Sequence, residues 1–90
     1  MTGIAGVKIK IMPLSPEVNL EEITSKVKSL VEEEGGKNRG YIEEPVAFGL
    51  KAIIAFFEWP EEKELEKIEE KIGKVENVNS VQVIDLRKIA

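Results

Sequence analysis

The chain has 90 residues, 42% of them hydrophobic and 33% charged, and a formal net charge of −4, a size that fills one core and is read as a single domain over residues 1–90. Cysteine and histidine are both absent, which removes disulfides, thiolate nucleophiles, imidazole bases and the usual zinc or iron–sulfur ligands, so no metal or cofactor is expected. The negative charge weighs against nonspecific nucleic-acid binding, whose affinity comes from Lys and Arg neutralising phosphates.

From Ile4 to Ile11 the sequence alternates, with Val7, Ile9 and Ile11 on one face and Lys8 and Lys10 on the other, the pattern of a half-buried strand. Met1-Thr2-Gly3 runs straight into this alternation without the charged and apolar regions of a secretory signal, so a cytoplasmic location is expected. Met12-Pro13-Leu14-Ser15-Pro16-Glu17 reads as a stiff connector, because its prolines withhold backbone donors. Asn19 precedes Glu22 by three and predicts a capped helix. Leu20, Ile23, Val27, Leu30 and Val31 form its apolar stripe from about Leu20 to Glu34, and Gly35-Gly36 ends it.

Lys37 to Val46 carries few apolar residues and a proline, Pro45, which suits an edge strand. Leu50 to Phe57 is apolar at nearly every position and reads as a central strand, with the glycine at Gly49 marking the bend between the two. Its longest apolar run, Ala52 to Phe57, falls far short of the ~20 residues that cross a bilayer, so no membrane partner is expected. Trp59-Pro60-Glu61-Glu62 reads as a helix start with Pro60 at the first position. Leu65, Ile68 and Ile72 give that helix a buried stripe that stops near Gly73. Val78 to Lys88 closes as a strand in which Val81, Val83, Ile84 and Leu86 alternate imperfectly.

The order βαββαβ predicts an α+β, ferredoxin-like sandwich, a four-stranded antiparallel sheet with two helices on one face. The other face would carry Lys8 and Lys10, with Asp85 and Arg87 if Ile84 and Leu86 point inward. Most acidic residues fall on the helices, where rows such as Glu62, Glu66, Glu70 and Lys63, Lys67, Lys71 read as a solvated surface.

No constellation for covalent catalysis is evident. Enzymes of acylphosphatase type on this architecture hold phosphate in a Gly- and Arg-bearing loop after the first strand, where this chain has Met12-Pro13-Leu14-Ser15-Pro16. Glu43-Glu44 sits on an edge strand, without the shielded cleft that general acid/base work needs. RNA-recognition domains stack bases on aromatics of both central strands, yet the first strand has none, and Phe56 and Phe57 point to opposite faces. Phe48, at the bend, either covers the end of the core or stands free for a partner, and composition alone favours the former.

The segment Pro45 to Ala52, the opening Lys8-Ile9-Lys10-Ile11-Met12-Pro13, the Asn19-Leu20-Glu21 helix start and the closing Val81 to Lys88 together resemble the archaeal translation elongation factor one-beta family. The likeness runs in order over essentially the whole chain, and Pro-x-Ala-Phe-Gly-Leu is its most specific piece. It implies a guanine-nucleotide exchange factor for the elongation factor one-alpha GTPase, working as a monomer without covalent chemistry or a direct nucleotide or metal ligand. Phe48 matches the family's hairpin aromatic, which inserts into the GTPase and helps distort its nucleotide and magnesium site. Pro45, Gly49 and Lys51 flank it as expected partner contacts. Eukaryotic relatives also use a lysine next to the C-terminus. The run Asp85 to Ala90 ends about two residues short of that position, leaving Arg87 or Lys88 to take its place. Two other readings use the open sheet face, as a ligand-binding or dimerising regulatory module, or as an RNA-binding module.

Overall fold

The computed structural model describes residues 3–89; the absence of a signal at Met1-Thr2 and the last residue, Ala90, lie outside the described residues. The elements run β1 (Ile4–Pro13), α1 (Leu20–Glu33), β2 (Lys37–Pro45), β3 (Lys51–Pro60), α2 (Leu65–Gly73) and β4 (Val78–Lys88). The four strands pair antiparallel in the order β2-β3-β1-β4, the ferredoxin-like arrangement expected from the element order.

Strict alternation makes β1 the middle of the molecule. Val7, Ile9 and Ile11 are buried on the helix side, where they meet Ile23, Val27 and Val31 of α1 and Ile68 and Ile72 of α2 in one apolar cluster. Phe57 and Trp59 of β3 close the same cluster, their rings 5.9 Å apart and edge to face. Phe56 points the other way, as its parity requires, and the Lys8 ammonium lies 5.2 Å from its ring centre.

Helix α1 begins at Asn19, whose Oδ1 accepts the Glu21 amide at 2.9 Å. Among the described residues the reciprocal Glu22 bond of a full capping box does not form. The helix ends where Gly35 takes φ 89° and the Gly36 amide donates to the Val31 carbonyl at 2.8 Å. Lys63 donates to the Glu34 carbonyl just beyond the helix.

Two boundaries differ from the sequence reading. β1 continues through Met12 and Pro13, which align with Ser80 and Val78 of β4, so the connector starts at Leu14. Proline is tolerated there because it falls at the strand end, beyond a register irregularity. Trp59-Pro60 does not start α2. Both residues finish β3, with Pro60 aligned to Ile4, and α2 starts at Leu65. Burial decides this case: Trp59 is sealed in the core and its indole N–H donates to the Lys63 carbonyl at 3.2 Å, which holds Glu61 to Glu64 as a turn between strand and helix.

The imperfect alternation of β4 is a bulge. The register slips between Lys8 and Ile9, where Asp85 and Val83 are the partners and Ile84 is left over. Asp85 and Arg87 therefore lie beside Lys8 and Gly6 on the open face. Leu86 aligns with Val7 on the helix side but stays exposed, and so does Ile84.

Candidate functional site

The β2–β3 hairpin is the most sharply defined feature outside the core. Pro45 and Lys51 form its last aligned pair. Beyond them the Val46 amide donates to the Leu50 carbonyl at 2.8 Å, and the Leu50 amide donates to the Ala47 carbonyl at 3.1 Å. Ala47-Phe48-Gly49-Leu50 is thus a hydrogen-bonded turn whose central residues both have positive φ, 60° at Phe48 and 76° at Gly49. That combination belongs to the type I′ turn, whose twist matches the flanking strands and which favours Asn-Gly.

Glycine meets this demand at Gly49. Phenylalanine at the preceding position does not, because its Cβ crowds the carbonyl in left-handed geometry at a cost of about 1–2 kcal/mol. Its side chain gains nothing locally in return: Phe48 is 94% exposed. The alternative in which Phe48 covers the end of the core is excluded by that exposure. A costly backbone conformation holding a bare aromatic ring away from its own fold is a feature better explained by a binding role than by folding.

Pro45 and Lys51 are also exposed, at the base of the tip. Lacking an N–H, Pro45 leaves the edge strand one donor short where it could pair with another chain. Arg87 and Lys88 lie elsewhere. They align with Gly6 and Ala5 at the start of β1, and Gly6 in turn aligns with Glu58. Glu58 is seven residues along β3 from Lys51, which at strand rise is about 23 Å. The six residues expected at a partner surface therefore form two groups at opposite ends of the sheet. Arg87 Nε lies 3.0 Å from Asp85 Oδ2, and Lys88 Nζ lies 4.0 Å from Glu61 Oε1; both side chains remain about three-quarters exposed, at 76% and 75%.

On the open face, Arg39 Nε pairs with Glu58 Oε2 at 3.1 Å and Lys8 covers Phe56, so the one aromatic facing out from the central strands carries a cation on its ring. Glu43 and Glu44 are both exposed. Among the described residues no cluster of three or more acidic side chains is placed to hold a metal, and no helix is long and apolar enough to cross a membrane.

Sequence reasoning attached no role to Leu14. It is 59% exposed, and its signal was present as a lone large apolar residue inside a proline-flanked connector.

Comparison with known proteins bears on the same segments. Residues 6–89 match the model of the EF-1 guanine nucleotide exchange domain. The chain is similar to Elongation factor 1-beta of Methanococcus maripaludis, 44% identical over 81 residues that cover 88% of this chain and 90% of that one. It is also similar to Elongation factor 1-beta of Methanosarcina barkeri, 40% identical over 88 residues and 97% and 99% of the two chains. Among solved structures, the C-terminal domain of the MgtC protein from Mycobacterium tuberculosis superposes with a TM-score of 0.73 over 97% of this chain and 89% of that one, at 11% identity, a likeness of fold alone. With the family model covering the hairpin at one end of the sheet and Arg87 and Lys88 at the other, the chain belongs to the EF-1 guanine nucleotide exchange domain family.

Proposed function

We propose that this chain is a guanine-nucleotide exchange factor that promotes GDP release and GTP reloading on an elongation factor one-alpha type GTPase, with Phe48 as its leading contact. Family membership supports the activity, and the bare Phe48 ring on a rigid turn is the observation that carries the contact. The factor works as a monomeric cytoplasmic protein and makes or breaks no covalent bond. Pro45, Gly49 and Lys51 support the tip; Arg87 and Lys88 form a separate basic contact.

The mechanism is linkage. A factor that speeds nucleotide release must bind the empty or distorted GTPase more tightly than the loaded one, and nucleotide then weakens the factor by the same ratio. Burying Phe48 in a GTPase pocket supplies roughly 2–3 kcal/mol, the size of an interface hot spot. Because the turn is already closed by two backbone bonds, little of that is spent on ordering the tip.

The deciding experiment is release of a fluorescent GDP from the cognate GTPase, followed by stopped flow with and without this protein. Acceleration that saturates with factor concentration is expected, and unchanged release at saturating factor refutes the activity.

A further inference from the structure

The end of the sheet that carries the hairpin has a second exposed apolar residue. The β1–β3 pairing ends at Ile11 with Ile53, two residues before Pro13 and two after Lys51, and Pro13 and Lys51 line one cleft at this end. Phe48 lies three residues past Lys51, at the turned tip of the hairpin, so it projects beyond the level at which β1 ends. Leu14 starts the connector at that lower level, on the neighbouring strand.

Leu14 does not hang on a loose loop. Its amide donates to the Asn77 carbonyl at 2.9 Å, Pro13 fixes the backbone before it, and Pro16 stiffens the turn after it. A cleft of about 450 Å³ runs between this connector and the hairpin, with Pro13, Ser15 and Pro16 on one side and Gly49 and Lys51 on the other. Glu21 and Glu43 line the cleft against Lys51, and Glu17 and Glu44 are exposed at the same end of the molecule, so this end is mainly acidic.

We propose that Leu14 is a second apolar contact of the same docking surface, seated one step below Phe48. The occupant is the face of the GTPase that receives Phe48, an apolar depression bordered by basic side chains. This rests on the exchange reading above. The geometry supplies the reason: a pocket deep enough to take the projecting tip brings its rim down toward the connector, where Leu14 is exposed. The acidic side chains there complement a basic border and repel an acidic one. Leu14 acts as a positioning contact, adding affinity without entering the depression that Phe48 fills.

The test is a titration of GDP release against factor concentration for wild type, Leu14→Ser, Phe48→Ala and Ile84→Ser. Ile84 is the control, an exposed apolar residue on β4 assigned no contact. Leu14→Ser should raise the half-saturating concentration about five- to tenfold, as expected for burying roughly half a leucine side chain, with the saturated rate unchanged. Its thermal midpoint should match wild type, because the residue is mostly solvated. Ile84→Ser should superimpose on wild type. A Leu14→Ser titration that superimposes on wild type overturns the contact, as does one shifted no further than Ile84→Ser. If wild type itself leaves GDP release unchanged, the exchange reading falls, and the Leu14 contact falls with it.

Discussion

Phe48 and Gly49 stand side by side in the left-handed region, at φ 60° and 76°, in a turn that would accept Asn-Gly without strain. Phe48→Asn should therefore separate stability from exchange. Removing the left-handed penalty stabilises the fold by about 1 kcal/mol, which for a chain of this size raises Tm by roughly 4–8 °C. The same variant loses the ring and should exchange poorly. A melt followed by Trp59 fluorescence, paired with GDP release, reads both. A Phe48→Asn variant that melts no higher than wild type shows that the hairpin carries no strain.

Gly36 is required for a different reason. A Cβ built on it would lie 2.8 Å from Val31 Cγ1, 2.9 Å from Trp59 Cε3 and 3.0 Å from the Glu58 carbonyl. Val31 and Trp59 are both buried, so neither can yield cheaply. Gly36→Ala should cost about 1–3 kcal/mol by overpacking and lower Tm by at least about 4 °C. Gly40 is the internal control, since an added Cβ there meets nothing within 4 Å. Equal melting of the two variants would contradict the close approach of Gly36 to Val31 and the end of β3.

Glu34 at the end of α1 and Lys71 on α2 join the two helices, Nζ to Oε1 at 3.1 Å. The hydrogen bond from Lys71, then its charge, hold the Glu34 carboxyl below its ordinary value of 4.5. A carboxyl with a lowered folded pKa binds its proton more weakly in the folded state. Its stabilisation is therefore present above pH 4.5 and is lost as pH falls from there through the folded pKa. Lys71→Gln should be slightly less stable than wild type at neutral pH, with the gap closing on acidification and in high salt, as befits an exposed pair. Urea melts across pH check it, and a gap that widens in acid would reverse the sign assigned here.

Periodicity made most of the fold legible. The alternation in β1 and the three-and-four spacing in α1 need only the rule that one face of each element is buried, and the structure follows both. Trp59-Pro60-Glu61-Glu62 misled because Pro followed by acidic residues is good chemistry for a helix start, and nothing local reveals that Trp59 fills the end of the core. Tertiary burial overrode the local signal there. The exposure of Phe48 was equally hidden, since a phenylalanine beside a bend looks the same whether it folds back or stands out. The family likeness pointed outward, and the side chain is exposed. The remoteness of Arg87 and Lys88 from Phe48 was implicit in the strand order: β4 runs antiparallel to β1, so its end lies beside the start of β1, while the hairpin lies beside the end of β1.

That separation gives the last prediction. Phe48 and the Arg87–Lys88 pair are more than about 20 Å apart along the sheet, share no contact and are joined by a rigid β-ladder. Mutations at such distances normally add within about 0.3–0.5 kcal/mol. If both ends touch the GTPase, Phe48→Ala and the pair Arg87→Ala with Lys88→Ala should each slow exchange, and the combined variant should lose the product of the two factors. The basic end should show the steeper salt dependence, because exposed charges are screened and a buried ring is not. Titrated GDP release at two ionic strengths measures both effects. If the Arg87 and Lys88 substitutions leave exchange untouched at low salt, the working surface contracts to the hairpin end alone. If the combined loss instead falls well short of the product, the two ends engage the partner in alternative poses and not in one.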